Sequence, residues 1–248
     1  MPDEARSSAD QTESTRCLDC GNSFVGVYCG SCGQAAQSPI KPLGDFLRES
    51  LSEVFSLDGA PLRSWRALVT RPGHLSVEYL AGRRTRFLHP ARLFLQVGVV
   101  AYLVTRLIPT ESALFGIGPE LFGDESSLAD VLFAAGLIPL GATGHWLALR
   151  SHRPMFLEHF VFVLHIVSFS FLLAPVEGFL YLLTGGQPLL ATANALFAPI
   201  AWGIYWLMAL SRFNERTIRQ AFSDALRVYI AVLLVSLPLF AYQFAVSF

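Results

Sequence analysis

The chain is 248 residues long, with 53% hydrophobic residues, only 15% charged residues and a formal net charge of −1. Soluble domains carry about 25% charged residues, so an ordinary soluble composition is excluded and a membrane protein is expected. The near-zero net charge selects no class of partner; the placement of the charges along the chain says more.

Residues 1–16 are polar and slightly acidic, lack the apolar stretch of a signal peptide, and read as a disordered tail. The segment that follows is therefore expected to stay on the side of synthesis. Residues 17–34 hold all four cysteines, as Cys17-Leu-Asp-Cys20 and Cys29-Gly-Ser-Cys32, two CxxC pairs separated by eight residues. A CxxC pair puts two sulfurs on one tight turn, and zinc takes four thiolates tetrahedrally. Gly21 and Gly33 follow the second cysteine of each pair, where a metal-binding turn needs unusual backbone angles. Phe24, Val25, Val27 and Tyr28 between the pairs predict a two-stranded ribbon with a small apolar cover. So small a unit builds no core, and the metal supplies much of its folding energy. One structural Zn²⁺ per chain is expected, with iron the alternative ion. Disulfides belong to oxidising compartments, and a thioredoxin-type motif needs a βαβ setting that is not visible.

Residues 35–87 read as a linker, with Pro39 and Pro42, followed by cytoplasmic or interfacial amphipathic helices. Leu43, Phe46, Leu47, Leu51, Val54, Phe55 and Leu57 fall three and four apart, as on one helical face. A second short helix is predicted from Pro61 to Val69, ended by Pro72-Gly73. Both are too short to span a bilayer, and either lie on its surface or pack against the rest of the protein.

Residues 88–248 are dominated by apolar runs. A spanning helix needs roughly 20 mostly apolar residues. Five spans are predicted, at about 90–108, 129–149, 157–184, 189–210 and 225–247. The connections alternate in charge. Arg83, Arg84 and Arg86 precede the first span; the 109–128 loop has acidic residues and no Arg or Lys; Arg150 and Arg153 follow; Gly185 to Pro188 is uncharged; Arg212, Arg216 and Arg219 come last. That is the pattern of the positive-inside rule for five spans, with a cytoplasmic N-terminus and an external C-terminus. Arg106, near the outer end of the first span, is the exception and can snorkel. The expected fold class is thus an all-α polytopic membrane protein of about five transmembrane helices with a small N-terminal zinc ribbon. No internal repeat of the transporter kind is visible.

Ionisable residues inside spans mark candidate functional sites. Glu158, His159, His165 and Glu177 fall in the third predicted span and His145 near the inner end of the second. Glu158 and His165 share a helical face but lie about 10.5 Å apart along a straight helix, too far to ligate one ion. The bland expectation leaves Glu158 and His159 at the cytoplasmic interface and His165 bonded to a neighbouring helix; the alternative is a proton or ion relay. Pro139, Pro175, Pro199 and Pro238 interrupt four spans, and Gly136, Gly141 and Gly144 permit close helix approach. Arg83, Arg84 and Arg86 are candidate lipid-phosphate contacts, as are Arg212, Arg216 and Arg219, read as one helical stripe. Nucleic acid is not an expected partner, because the cations sit beside the spans and the cysteine module has almost none.

The CxxCG…YCxxCGQ pattern from Cys17 to Gln34 carries a resemblance together with four other segments: Arg71-Pro72-Gly73, Tyr79-Leu80-x-Gly82-Arg83-Arg84, Pro90 with Arg92, and Leu157-Glu158-His159-x-Val161-Phe162-x-Leu164-His165. The chain resembles an uncharacterised bacterial family of multi-pass membrane proteins with an N-terminal zinc ribbon, filed under a domain of unknown function. The resemblance implies the architecture and the inner membrane, and brings no reaction or substrate. The leading functional expectation is a non-enzymatic membrane protein whose ribbon docks a cytoplasmic protein partner or stabilises the assembly. A transporter or channel using Glu158, His165 and Glu177 is the second. An intramembrane enzyme ranks last, since no HExxH, GxSxG or paired intramembrane aspartates are present.

Overall fold

The structure is a computed structural model that describes residues 14–36, 42–46, 61–107, 128–184 and 188–247. The predicted amphipathic positions from Leu47 to Leu57 and the acidic 109–127 loop lie outside the described residues; residues 43–46 are helical.

The N-terminal module is a pair of knuckles. Strand β1 (Thr15–Arg16) runs antiparallel to β2 (Ser23–Phe24), and a bridge joins Tyr28 to Ala35. The Cys17 N–H donates to the Asn22 carbonyl (2.9 Å) and the Gly21 N–H to the Cys17 carbonyl (3.0 Å). Twelve residues on, the Cys29 N–H donates to the Gln34 carbonyl and the Gly33 N–H to the Cys29 carbonyl, both at 2.8 Å. The two knuckles therefore repeat one bonding scheme, and each turns on a left-handed glycine, Gly21 at φ 78° and Gly33 at φ 76°. Two expectations are corrected here. The tail does not extend to residue 16, because Thr15 and Arg16 pair with β2 and the Arg16 side chain bonds the Gly21 carbonyl (3.1 Å). Nor do Val25, Val27 and Tyr28 form a cover: they are 55%, 67% and 66% exposed, since the strands close each knuckle instead of folding an apolar layer over it.

The helical part comprises α1 (Pro61–Thr70), α2 (His74–Leu80), α3 (Pro90–Leu107), α4 (Leu128–Leu149), α5 (Phe156–Thr184), α6 (Pro188–Phe213) and α7 (Ile218–Ser247). Pro61, Pro90 and Pro188 each open a helix, where a missing N–H costs nothing. Helices α4, α5, α6 and α7 close a ring in which each packs on two neighbours, and α3 lies against α5 outside it. Gly144 marks a close approach of α4 to α7: a Cβ there would stand 2.7 Å from the Val232 backbone.

Helix α2 was not anticipated. Its Leu75 and Tyr79, four apart, are buried, and Gly73 turns the chain into it at φ 74°. A Cβ on Gly73 would lie 2.6 Å from the Ala209 carbonyl oxygen, so the α1–α2 corner presses directly on α6. The Tyr205 hydroxyl donates to the Leu68 carbonyl (2.7 Å) and the Arg212 guanidinium to the Pro72 carbonyl (2.6 Å). Of the two placements open for the α1 segment, it takes packing against the bundle.

Two helical segments among the described residues are long and apolar enough to cross a membrane, Phe156–Leu173 and Ile218–Pro238. They differ in surroundings. The first is 67% buried within the protein and the second only 28%, with Phe222, Leu226, Tyr229, Leu233, Leu234 and Leu237 of α7 exposed.

Candidate metal centre and buried histidine site

The two knuckles bring the four cysteines together. Their sulfurs all lie within 4.8 Å of one another, Cys17 Sγ 3.5 Å from Cys32 Sγ and Cys20 Sγ 3.6 Å from Cys29 Sγ. These spacings are far beyond an S–S bond of about 2.05 Å, and all four cysteines are free. A tetrahedral ion with metal–sulfur bonds of about 2.3 Å has sulfur–sulfur edges of roughly 3.8 Å, so the donor set fits a metal ion. The thiols are primed unequally. Cys17 is lowered to about 6, first by the Cys20 backbone N–H. At Cys32 the Gln34 backbone N–H acts in the same direction, but burial and the three neighbouring sulfurs push it up to about 12. Four thiolates at this spacing repel one another, and a divalent cation offsets that repulsion.

The module is seated on the chain's own Gly82–Arg86 segment. The Gln34 side-chain amide donates to the Gly82 carbonyl (2.5 Å) and accepts from the Arg84 N–H (3.3 Å). Asp19, inside the first CxxC, accepts from the Thr85 hydroxyl and pairs with Arg86 (3.4 Å). Asp19 and Gln34 are both buried, at 9% and 8% exposure. These two residues were not among the sequence candidates. The available signals were a carboxylate lodged within a metal-binding CxxC and an amide directly after the second knuckle.

The basic candidates have specific neighbours. Arg83 makes two bonds to the Glu78 carboxylate, at 2.7 and 2.5 Å, and Arg84 lies over the Tyr79 ring, 4.5 Å from its centroid. Arg212, Arg216 and Arg219 do not form one stripe, because α6 stops at Phe213, Glu215 turns the chain at φ 55°, and α7 starts at Ile218. Arg212 ends α6 on the Pro72 carbonyl, Arg216 in the turn meets His152 (2.9 Å), and Arg219 is exposed in the first turn of α7.

The ionisable candidates on the helices divide into two buried groups. In the first, His145 Nδ1 on α4 lies 2.6 Å from His159 Nδ1 on α5, and His159 Nε2 lies 2.9 Å from the Arg153 carbonyl. Arg153 bonds Glu158 (2.9 Å) and, through two nitrogens, the Phe213 carbonyl (3.1 and 2.7 Å). Glu158 and His159 are buried within the protein, because Arg153 and the end of α6 fold over them. In the second group, His165 Nδ1 meets the fully buried Ser76 hydroxyl (2.9 Å). Its partner lies on a neighbouring helix, the short α2. Tyr79 and His89 form the next bonded pair on that side (3.1 Å). The structure thus brings His145, His159 and Glu158 together and places His165 elsewhere. The side chain of Glu177 lies outside the described residues.

A family model described as "Protein of unknown function (DUF3667)" matches residues 58–101. That stretch holds α1, α2, the Gly82–Arg86 segment on which the cysteine module sits, and the first two-thirds of α3. No curated protein and no solved structure matches the chain.

Proposed function

We propose that this chain is a non-enzymatic, multi-pass protein of a bacterial inner membrane, with five spans, whose cytoplasmic ribbon holds one structural Zn²⁺ and docks a protein partner. Membrane insertion is supported by α7, whose apolar residues face outward over several turns; a soluble protein rarely leaves so large a patch in water. The orientation is supported by the clustering of the basic connections at one end of the bundle. Arg153 reaches the end of α6, Arg216 reaches His152, and Arg212 reaches Pro72. Anionic headgroups at that surface would meet the exposed Arg219 and the half-exposed Arg86.

One observation carries the docking role. The Asp19 and Gln34 side chains are buried on the chain itself, while Val25, Val27 and Tyr28 stand exposed. A module too small for a core gains nothing from exposed apolar residues unless another surface covers them. Crosslinking in membranes tests this. The intact protein should capture a partner that a Val27→Asp, Tyr28→Asp variant loses; recovery of this chain alone from both would remove the docking role.

A second reading, transport of a proton, ion or small solute, is favoured by the His145–His159 pair within the helix ring. Flux into liposomes should then fall in His145→Gln, His165→Ala and Glu177→Gln. No flux for any ion, or flux unchanged in all three, would remove it.

A further inference from the structure

The ribbon is held to the helical part by residues that also belong to the cysteine knuckles. Gln34 uses its backbone carbonyl to accept from the Cys29 N–H and its side-chain amide to hold Gly82 and Arg84. Asp19 lies between Cys17 and Cys20, and through its carboxylate and backbone carbonyl it meets Thr85 and Arg86. Both contacts to the amide are to backbone atoms of the segment, so they read its shape, which a left-handed Gly82 (φ 81°) sets.

That segment leads straight into α3. Glu78 of α2 holds Arg83, the Leu88 N–H donates to the buried Ser64 hydroxyl of α1 (2.8 Å), and Pro90 opens α3. The knuckles themselves have two two-residue strands, one bridge and four exposed apolar side chains, Leu18, Val25, Val27 and Tyr28. Such a unit does not hold its shape without its metal. The positions of Asp19 and Gln34 then depend on the metal, and so do their contacts to the segment, whose start α2 holds separately through Glu78 and Tyr79.

We propose that the ribbon is a metal-dependent clamp on Gly82–Arg86: with the four cysteines ligated, Asp19 and Gln34 grip the segment that enters α3, and loss of the metal releases it. This inference rests on the metal reading above and goes beyond it. Linkage makes the coupling reciprocal. Residues of the segment that touch no cysteine must therefore strengthen metal binding.

Two measurements on the full-length protein in detergent test the clamp, with Zn²⁺ as the only probe. Trypsin cleavage after Arg84 and Arg86 should be slow with zinc bound and roughly fivefold or more faster after its removal. Gln34→Ala and Thr85→Ala should still take up zinc, be cleaved quickly even when loaded, and bind zinc roughly fivefold or more weakly in a competition titration. Cleavage of the wild-type chain that ignores zinc overturns the clamp, as do two variants that match the wild type in protection and affinity. A wild-type chain that takes up no zinc overturns the metal reading itself, so the two failures are distinguishable.

Discussion

His145 donates from Nδ1 to Nδ1 of His159, 2.6 Å away on the neighbouring helix. The direction follows from the other end of the pair. His159 Nε2 faces the Arg153 carbonyl, which only accepts, so that nitrogen carries the proton and Nδ1 of a neutral His159 is an acceptor. His145 is then protonated at Nδ1, and its Nε2 is a buried lone pair with no hydrogen-bond partner among the described residues. Nitrogen-15 spectra should show His145 as the Nδ1–H tautomer and His159 as the Nε2–H tautomer. Two Nε2–H imidazoles would contradict the arrangement.

Breaking that bond strands an acceptor in a buried site lined by Phe162 and Phe213. His145→Phe should lower stability by about 1–3 kcal/mol, the cost of an unsatisfied buried polar atom. The double variant with His159→Phe should cost less than the sum of the singles, because both partners then disappear together. Thermal unfolding in detergent reads both effects, and strict additivity would speak against the pair.

Metal analysis of the purified protein should find about one zinc per chain, and none in Cys20→Ser. Hydrogen exchange should then show loss of amide protection across 15–36 with little change in α4 to α7, because the module is bonded to the Gly82–Arg86 segment. Uniform loss throughout the bundle would show that the module supports more than its own segment.

Glycine substitutions separate close approach from mere flexibility. Gly144→Ala places a methyl 2.7 Å from the Val232 backbone and should destabilise by about 1–3 kcal/mol. Gly141→Ala, three residues earlier on α4, meets among the described residues only the Val163 side chain, at 3.7 Å, and should be neutral or stabilising by up to about 1 kcal/mol through helix propensity. Melting temperatures that move together would refute the contact.

The Glu78 carboxyl is held below its ordinary 4.5, chiefly by its hydrogen bond from Arg83. A depressed carboxylate adds stability above its unfolded value and loses it as pH falls through the folded one. The pair is partly exposed, so its contribution is about 0.2–1 kcal/mol. Glu78→Gln should therefore be slightly less stable than the wild type at pH 7 and indistinguishable from it well below pH 4.5. A gap that persists in acid would assign the effect to something other than this carboxylate.

Short-range patterns were legible in the chain: the cysteine spacing, Pro61 and Pro90 as helix starts, and the apolar runs that became α3 to α7 all act over a few residues of backbone. The stripe of Arg212, Arg216 and Arg219 failed for a local reason that spacing does not encode, the left-handed turn at Glu215. Helix α2 is hard to read from the chain because its seven residues carry three buried apolar anchors, Leu75, Tyr79 and Leu80, over barely two turns, too few to set a period.

Ligand spacing and hydropathy are local properties, so a shared centre for four thiols and a series of long apolar helices follow from the chain alone. The contact of Gln34 with Gly82 forty-eight positions away, the meeting of His145 with His159 while His165 turns to Ser76, and the exposure of Val25, Val27 and Tyr28 come from the folded arrangement. Those pairings depend on which helix faces close on one another, and packing selects them only when the whole chain is assembled.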